Sequence, residues 1–546
     1  MSVAVAVLLP LLTALLATRS GAAARLGRRL APFASAALLL PLLSGEGVSW
    51  PWALLRLDLG VDAWVRPFVL LTAVAWSLAA WFAIDRVSGD TRRFWLGWSL
   101  SLWGMALVLL AQSLVTFYLG YVAVSLAAYL MIVHARSDAA WRAGRIYLLL
   151  AFAGEAAIVS GVLLLAGFYG NVELALLATP EFAAGLEASR WWLLIGFAVK
   201  LGIVPLHVWL PLAHPIAPVP ASAILSGVIV TAGLLGWLKL APTEGLDVAG
   251  SAPWLLAVGL MTAFVGVALG LTQRKLKSVL AYSTISQMGL VLVGYAVLTL
   301  EPSGVAPLTV LGLFVLHHGL NKAALFLACG CAPGAGALRR ALLALPALAL
   351  AAAPLTTGFL AKTWLKRLVD AGIELGALSP LAYTLLSLSS TATALLMWHL
   401  WRLARSERDA SVRVHPAWPL LVLAAATLPW WWAAQAGMVI APSGSYLWAA
   451  TWPLLLAAVL ALLGALTRRP GLRLPEGDVV VLAEALVRRA PTPGAPAPQP
   501  RRRSGSTRAR VGARLAVLER RMREMPIVGV VMLLVAVAAW WTLRGG

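Results

Sequence analysis

The chain has 546 residues, of which 61% are hydrophobic and 12% charged, and its mean hydropathy is +0.86. That balance excludes an ordinary soluble domain and makes lipid the solvent of the fold. The net charge of +21 would suggest nucleic acid in a soluble chain, but here it reads as topological charge facing anionic lipid, so no nucleic-acid partner is expected.

Taken in chain order, apolar runs lie near 2–18, 31–45, 62–83, 94–111, 114–133, 146–168, 191–210, 220–241, 253–273, 278–299, 304–331, 341–361, 381–403, 417–435, 446–466 and 526–543. A helix satisfies its own backbone in lipid and crosses a core of roughly 30 Å in about 20 residues, so an all-α membrane bundle follows. The second run is short and proline-interrupted, and the eleventh and twelfth are hard to separate, which gives 14–16 transmembrane helices. The first run has no basic residue ahead of it and the chain continues as membrane, so it reads as a retained helix.

Lys and Arg concentrate in loops after odd-numbered spans: Arg19, Arg25, Arg28 and Arg29, then Arg86, Arg92 and Arg93, then Arg136, Arg142 and Arg145. The series continues with Arg274, Lys275 and Lys277, with Arg339 and Arg340, and with Arg402, Arg405, Arg408 and Arg413. Loops after even-numbered spans are acidic or neutral on balance, as with Glu173, Glu181 and Glu187 against Arg190. Lys366 and Arg367, expected in the loop after the twelfth span, break the pattern, and the loop after the seventh has no Lys or Arg. Positive residues mark the cytoplasmic side, which predicts a multi-pass protein of the cell inner membrane with both termini outside. Residues 467–525 read as a basic, proline-rich cytoplasmic linker with an amphipathic helix expected near 511–525, and 526–546 are expected to carry the last span.

Cys329 and Cys331, spaced C-x-C in an apolar run, cannot hold an iron–sulfur cluster by themselves, and no dinucleotide or P-loop motif appears. No cofactor is expected on this chain, and any electron transfer would belong to a partner.

Ionisable residues inside apolar runs are costly and therefore functional candidates. They are Glu155 in the sixth span, Lys200 in the seventh, Lys322 in the eleventh and Lys362 at the end of the twelfth, with His207, His214, His317, His318 and His399. Low dielectric pulls lysine pKa values down and carboxylate values up, so such groups can exchange protons near neutrality. His318 and Lys322, four apart, share a helical face; an interhelical hydrogen bond or a snorkelling amine is the structural alternative for a lone lysine.

Pro205 follows Lys200 and precedes the proline-rich stretch 211–220, and Pro354 precedes Lys362. Broken helices at bilayer depth line polar cavities, and paired breaks suggest inverted repeats. Spans one to three would occupy 1–93, two five-helix repeats 94–241 and 253–403, and spans fourteen and fifteen 417–466.

The stretches VKLGIVPLHVWLPLAHPIAPVPASAILSGVIVTAG at 199–233, KSVLAYSTISQMGLVLVG at 277–294, HHGLNKAALFLACG at 317–330 and PLTTGFLAKTWL at 354–365 resemble the antiporter-like subunits of respiratory complex I. That family also includes Mrp-type cation/proton antiporter subunits, membrane-bound hydrogenase and formate hydrogenlyase subunits, and the membrane component of an inorganic-carbon accumulating system. The resemblance implies two inverted five-helix repeats, each a half-channel around a broken helix, joined by a hydrated line of lysines, histidines and acids. Position by position, Lys200 would be the broken-helix lysine of the first repeat and Lys362 its counterpart in the second, with Lys322 and His318 on the central relay. His207 and His214 flank the first break, where capping of broken backbone is an equal alternative, and Lys277 opens the tenth span, where a topology charge is one. His317 and His399 are accessory candidates.

Two positions depart from the resemblance. Relatives carry a Trp-Glu pair in the fifth span whose glutamate partners the broken-helix lysine; here the stretch FYLGYVAVSLAAYL puts Tyr121 and Val122 there. Glu155, one helix later, is the available substitute. A His or Lys of the eighth span appears as Ser226 or Thr231. The expected function is a proton-translocating subunit of a complex I-related or membrane hydrogenase-type complex, working with other membrane subunits and a peripheral redox module. The competing expectation is a secondary transporter subunit of Mrp or inorganic-carbon type. Haem held by intramembrane histidines is the third.

Overall fold

The computed structural model describes residues 1–51, 56–243, 248–300, 306–409, 411–466, 474–476 and 481. The expected amphipathic helix and the run at 526–543 lie outside the described residues. Everything below belongs to the first of two compact units, Met1–Glu484.

The chain opens with α1 (Ser2–Ala17), α2 (Gly21–Ala36) and α3 (Leu39–Ser44), then a small antiparallel hairpin of β1 (Val48–Trp50) and β2 (Leu57–Leu59), then α4 (Arg66–Arg86). Next come α5 (Thr91–Leu110), α6 (Leu114–Ile132), α7 (Asp138–Tyr169), α8 (Ala183–Leu201), α9 (Trp209–Ile216), α10 (Val219–Gly227) and α11 (Ala232–Leu240). A second set follows: α12 (Ala252–Leu271), α13 (Leu276–Leu298), α14 (Pro307–Ala328), α15 (Ala337–Leu350), α16 (Thr357–Glu374) and α17 (Leu381–Ala404). The described helices end with α18 (Ala417–Gln435) and α19 (Gly444–Leu466).

Among the described residues, 12 helices are long and apolar enough to cross a membrane, counting α2 with α3 and α10 with α11 as single crossings. The shorter α1 and the paired half-helices α8/α9 and α15/α16 account for three more expected runs. Polar side chains start several helices by accepting an orphan N–H: Asp90 from Arg93, Ser137 from Ala140 and Thr356 from Phe359.

Three sequence expectations need correction. The second run begins at Gly21, so Arg25, Arg28 and Arg29 ride on a helix and not in a loop. The sixth begins at Asp138, because Ser137 caps it there. The twelfth crosses its break and runs to Glu374, so Lys366 and Arg367 are helical and Lys362 lies in the second turn of α16 and not at a span's end. The charges of Lys362, Lys366 and Arg367 end the apolar run and hid the continuation.

Loop-to-loop contacts sort the ends of the helices into two faces. On one, His134 bonds to the Ser88 carbonyl, Arg136 pairs with Asp90, Arg86 donates to the Arg413 carbonyl, Gly334 donates to Glu407, and His399 to Gln273. These residues follow the third, fifth, ninth, eleventh and thirteenth crossings and carry most of the loop arginines. On the other face Leu59 bridges to Ala111, Ser113 to Glu173, and the N-terminal amine reaches Glu46 at 3.3 Å.

Each of the two sets makes five crossings, so the second set begins on the face opposite to the first, and the repeats are inverted. Both open on a helix pair packed backbone to backbone. A Cβ on Gly104 would lie 2.7 Å from the Gly120 carbonyl oxygen, and one on Gly259 2.7 Å from that of Gly289. The seam between repeats is as close: a Cβ on Gly319 of α14 would lie 2.4 Å from the Gly227 oxygen of α10. An 18-residue stretch of each of α13, α14 and α10–α11 is wholly buried, so the polar residues within it are surrounded by protein.

Candidate functional site

The first broken helix ends because Gly202, at φ 73°, turns the chain out of α8 just after Lys200. The carbonyls stranded there find new donors. Trp209, the first residue of α9, donates its indole N–H to the Val199 oxygen at 2.8 Å, and the Val204 N–H reaches across to Thr262 Oγ1 of α12 at 3.3 Å. Lys200, 5% exposed, is thus held in the last turn of a helix that stops inside the protein.

Its ammonium donates to Ser125 Oγ of α6 at 2.8 Å, and the same hydroxyl donates to Glu155 Oε1 of α7 at 2.8 Å. Tyr147 fixes this hydroxyl's helix by donating to the Ser125 carbonyl at 2.7 Å. The amine also lies 5.2 Å from the centre of the Tyr121 ring and 5.8 Å from that of Tyr147, aromatic faces that favour a cation. Trp209 closes a cavity of about 10 Å³ against these residues, the volume of roughly one water. The acid missing at Val122 is therefore supplied from the next helix, through a serine one turn further along α6.

At the centre, Lys322 of α14 is fully buried and donates to the Leu280 carbonyl of α13 at 2.7 Å. Thr284 donates to that same carbonyl at 3.0 Å and shares a 2.6 Å hydrogen bond with Ser226 of α10. Of the two candidates for the eighth-span position, Ser226 faces the second repeat, whereas Thr231 turns its hydroxyl onto its own backbone at Val228. His318 and His214 are fully buried, with no hydrogen-bond partner for either ring nitrogen among the described residues. The His207 ring lies 6.5 Å from that of Tyr282.

Toward the second break, His317 Nδ1 and Thr357 Oγ1 are 2.9 Å apart, joining α14 to the first residue of α16. This break is tighter than the first: Ala352 and Leu355 both hold positive φ, at 62° and 63°, a conformation that costs non-glycine residues about 1 kcal/mol each. Lys362, 2% exposed, donates to Ser390 of α17 at 3.2 Å. It opens onto a cavity of about 160 Å³ that also touches Lys366, Asp370, Tyr383 and Tyr446. Lys362, Lys366 and Asp370 follow one helical face at i, i+4 and i+8.

Lys200 precedes its break and Lys362 follows its own, so the two lysines are not at equivalent places in the repeats. Lys277 donates to the Ala217 carbonyl at 2.5 Å, at the end of α9. His399 bonds to the α12–α13 loop at Gln273 and so serves the basic face. Sequence reasoning missed Ser125 and Ser390, because a serine in a span is unremarkable until a lysine points at it. It also missed Lys239, 2% exposed at its side chain, which meets Asp62 at 3.3 Å and the Ala111 carbonyl at 2.7 Å. No group of His, Cys, Asp and Glu fit to hold a metal occurs among the described residues.

A family described as NADH:quinone oxidoreductase/Mrp antiporter, transmembrane, matches residues 111–387. Hydrogenase-4 component B of Escherichia coli is 35% identical over 217 residues, 38% of this chain and 32% of that protein. The NAD(P)H-quinone oxidoreductase chain 4 2 of Thermosynechococcus vestitus is 34% identical over 305 residues, 53% of each. The chain spans between a third and about half of the length of these curated relatives. In fold it is similar to a chain of the Mrp complex from Dietzia sp. DQ12-45-1b, with a TM-score of 0.68 and 19% identity over 100% of this chain and 62% of that one.

Proposed function

Since the chain belongs to the NADH:quinone oxidoreductase/Mrp antiporter family of membrane proteins, we propose that it is a proton-translocating, antiporter-like subunit of an energy-converting membrane complex. The observation that carries this reading is the Lys200–Ser125–Glu155 link: a buried amine and a buried carboxylate that touch one hydroxyl from opposite sides. Such a pair can load a proton on either end, and the charge on one end biases the other.

Protons taken up on the basic face pass the centre at Lys322 and His318, reach Lys362, and leave along Lys366 and Asp370 through the second cavity. The arginine-rich face is cytoplasmic, so the N-terminus is outside and the membrane is the cell's inner membrane. Other membrane subunits, and a peripheral redox module in a complex I-like or hydrogenase-like setting, supply the driving reaction, because the motif content of this chain offers no redox group.

The decisive measurement is proton flux in proteoliposomes holding the full chain. Lys322→Ala and Lys362→Ala each abolish it while the protein still inserts; wild-type flux in either variant sinks the proposal. The family's own description joins quinone oxidoreductase and Mrp antiporter, and this favours one second reading, cation/proton antiport. It requires the flux to depend on an opposing Na⁺ or K⁺ gradient.

A further inference from the structure

The loop joining α12 to α13 is covered by a short piece of chain from beyond α19. Gln273, 3% exposed, donates its side-chain amide to the Leu474 carbonyl at 3.3 Å, while its own carbonyl is held by His399 at 2.7 Å. The clamp delivers Glu476 to the start of α13. There Oε2 lies 3.1 Å from Lys275 Nζ, and Oε1 accepts from Ser278 Oγ at 2.7 Å. Ser278 is fully buried, whereas the Glu476 side chain keeps 26% of its surface in water. One partly exposed carboxylate thus links a surface lysine on one oxygen to a buried hydroxyl on the other.

Its setting makes that contact consequential. Lys275 pairs with the carboxylate, Arg274 and Lys277 flank Lys275 in the chain, and Arg402 and Arg405 stand at the end of α17 on the same face. Such a positive field depletes hydronium near the surface and slows proton capture. Less than one turn inward from Ser278 along α13 is Leu280, whose carbonyl holds the Lys322 ammonium. We propose that Glu476 is the proton-collecting carboxylate of the basic face: it takes a proton from water and hands it through the Ser278 hydroxyl toward Lys322. The Ser278 hydroxyl turns to accept the proton of Glu476 and gives up its own, by way of water, to the Lys322 amine in its neutral form; the carboxylate is left ionised, and Lys275 holds it ready for the next. This rests on the reading of the chain as a proton conductor.

The test uses the full chain in liposomes with a pH dye inside and an imposed gradient across pH 6 to 8.5. Glu476→Gln preserves the acceptor for Ser278 but cannot ionise. It should slow flux about tenfold at the alkaline end, where capture limits, with little loss at the acid end. Glu476→Asp, or added imidazole on the basic face, should restore much of it. If Glu476→Gln conducts like wild type at every pH while Lys322→Ala is silent, the inference fails alone. A loss equal at every pH, untouched by imidazole and accompanied by lower thermal stability, makes Glu476 a structural latch and overturns it too. If wild type and Lys322→Ala are equally silent, the proton-conductor reading falls first.

Discussion

Lys200 and Glu155 lie on different helices and meet through a single atom, Ser125 Oγ, 2.8 Å from each. Ser125→Ala removes the only described connection while leaving both charged groups in place. A hydrogen bond to a charged group is worth about 1.5–3 kcal/mol, so proton flux should fall about tenfold or more in proteoliposomes. Ser125→Thr should retain most of it.

The carboxylate's helix should be exchangeable. Val122 stands one turn from Ser125 on α6. Glu155→Gln should suppress flux, and Val122→Glu in that background should restore a measurable part, read by the same dye assay. No recovery in a folded double variant would mean that α7 is the required source of the acid.

Gly358 at the start of α16 has no room for a side chain: a Cβ there would lie 1.7 Å from the Ala349 carbonyl oxygen and 3.1 Å from the His317 ring. Gly358→Ala must push the two halves of the broken helix apart. A loss of about 2–4 kcal/mol is expected, visible as a lower unfolding temperature in detergent. Flux should fall with it, because Thr357 and His317 separate.

Lys239 and Asp62 test the opposite face. Asp62→Asn leaves the buried ammonium with carbonyl partners alone. Removing one member of a buried pair costs about 3–5 kcal/mol, less here because Asp62 keeps some water contact. Lys239→Met with Asp62→Asn should recover part of the loss in the same thermal measurement.

Sidedness has a direct check. In a background where Cys329 and Cys331 are serine, Gly45→Cys should react with an impermeant maleimide added to intact cells, whereas Ser88→Cys should react only after the cells are opened.

Much of this architecture was legible because lipid is a demanding solvent. All fifteen expected runs that fall among the described residues are helical, since length and hydropathy leave a membrane segment little choice. The lysines stood out for the same reason. What the sequence hid was partnership. Glu155 and Lys200 are 45 residues apart in number, and the hydrogen bonds that link them run through Ser125 on a third helix; nothing in local periodicity says which helices touch. Lys366 was misplaced in a loop because the apolar run stops at 361, where Lys362, Lys366 and Arg367 begin, whereas the helix that resumes at Thr357 carries these charges on to Glu374.

The glycine seam between the repeats sets a limit on how this protein can work. With Gly227 and Gly319 in backbone contact, and Thr262 of one repeat bonded to the broken backbone of the other, rocking one repeat against its twin would have to break this joint. On the proposed proton-conducting reading, the joint disfavours alternating access by rigid-body motion and favours access that changes inside a stationary frame, by side-chain rotation and by wetting and drying of the spaces around Lys200 and Lys362.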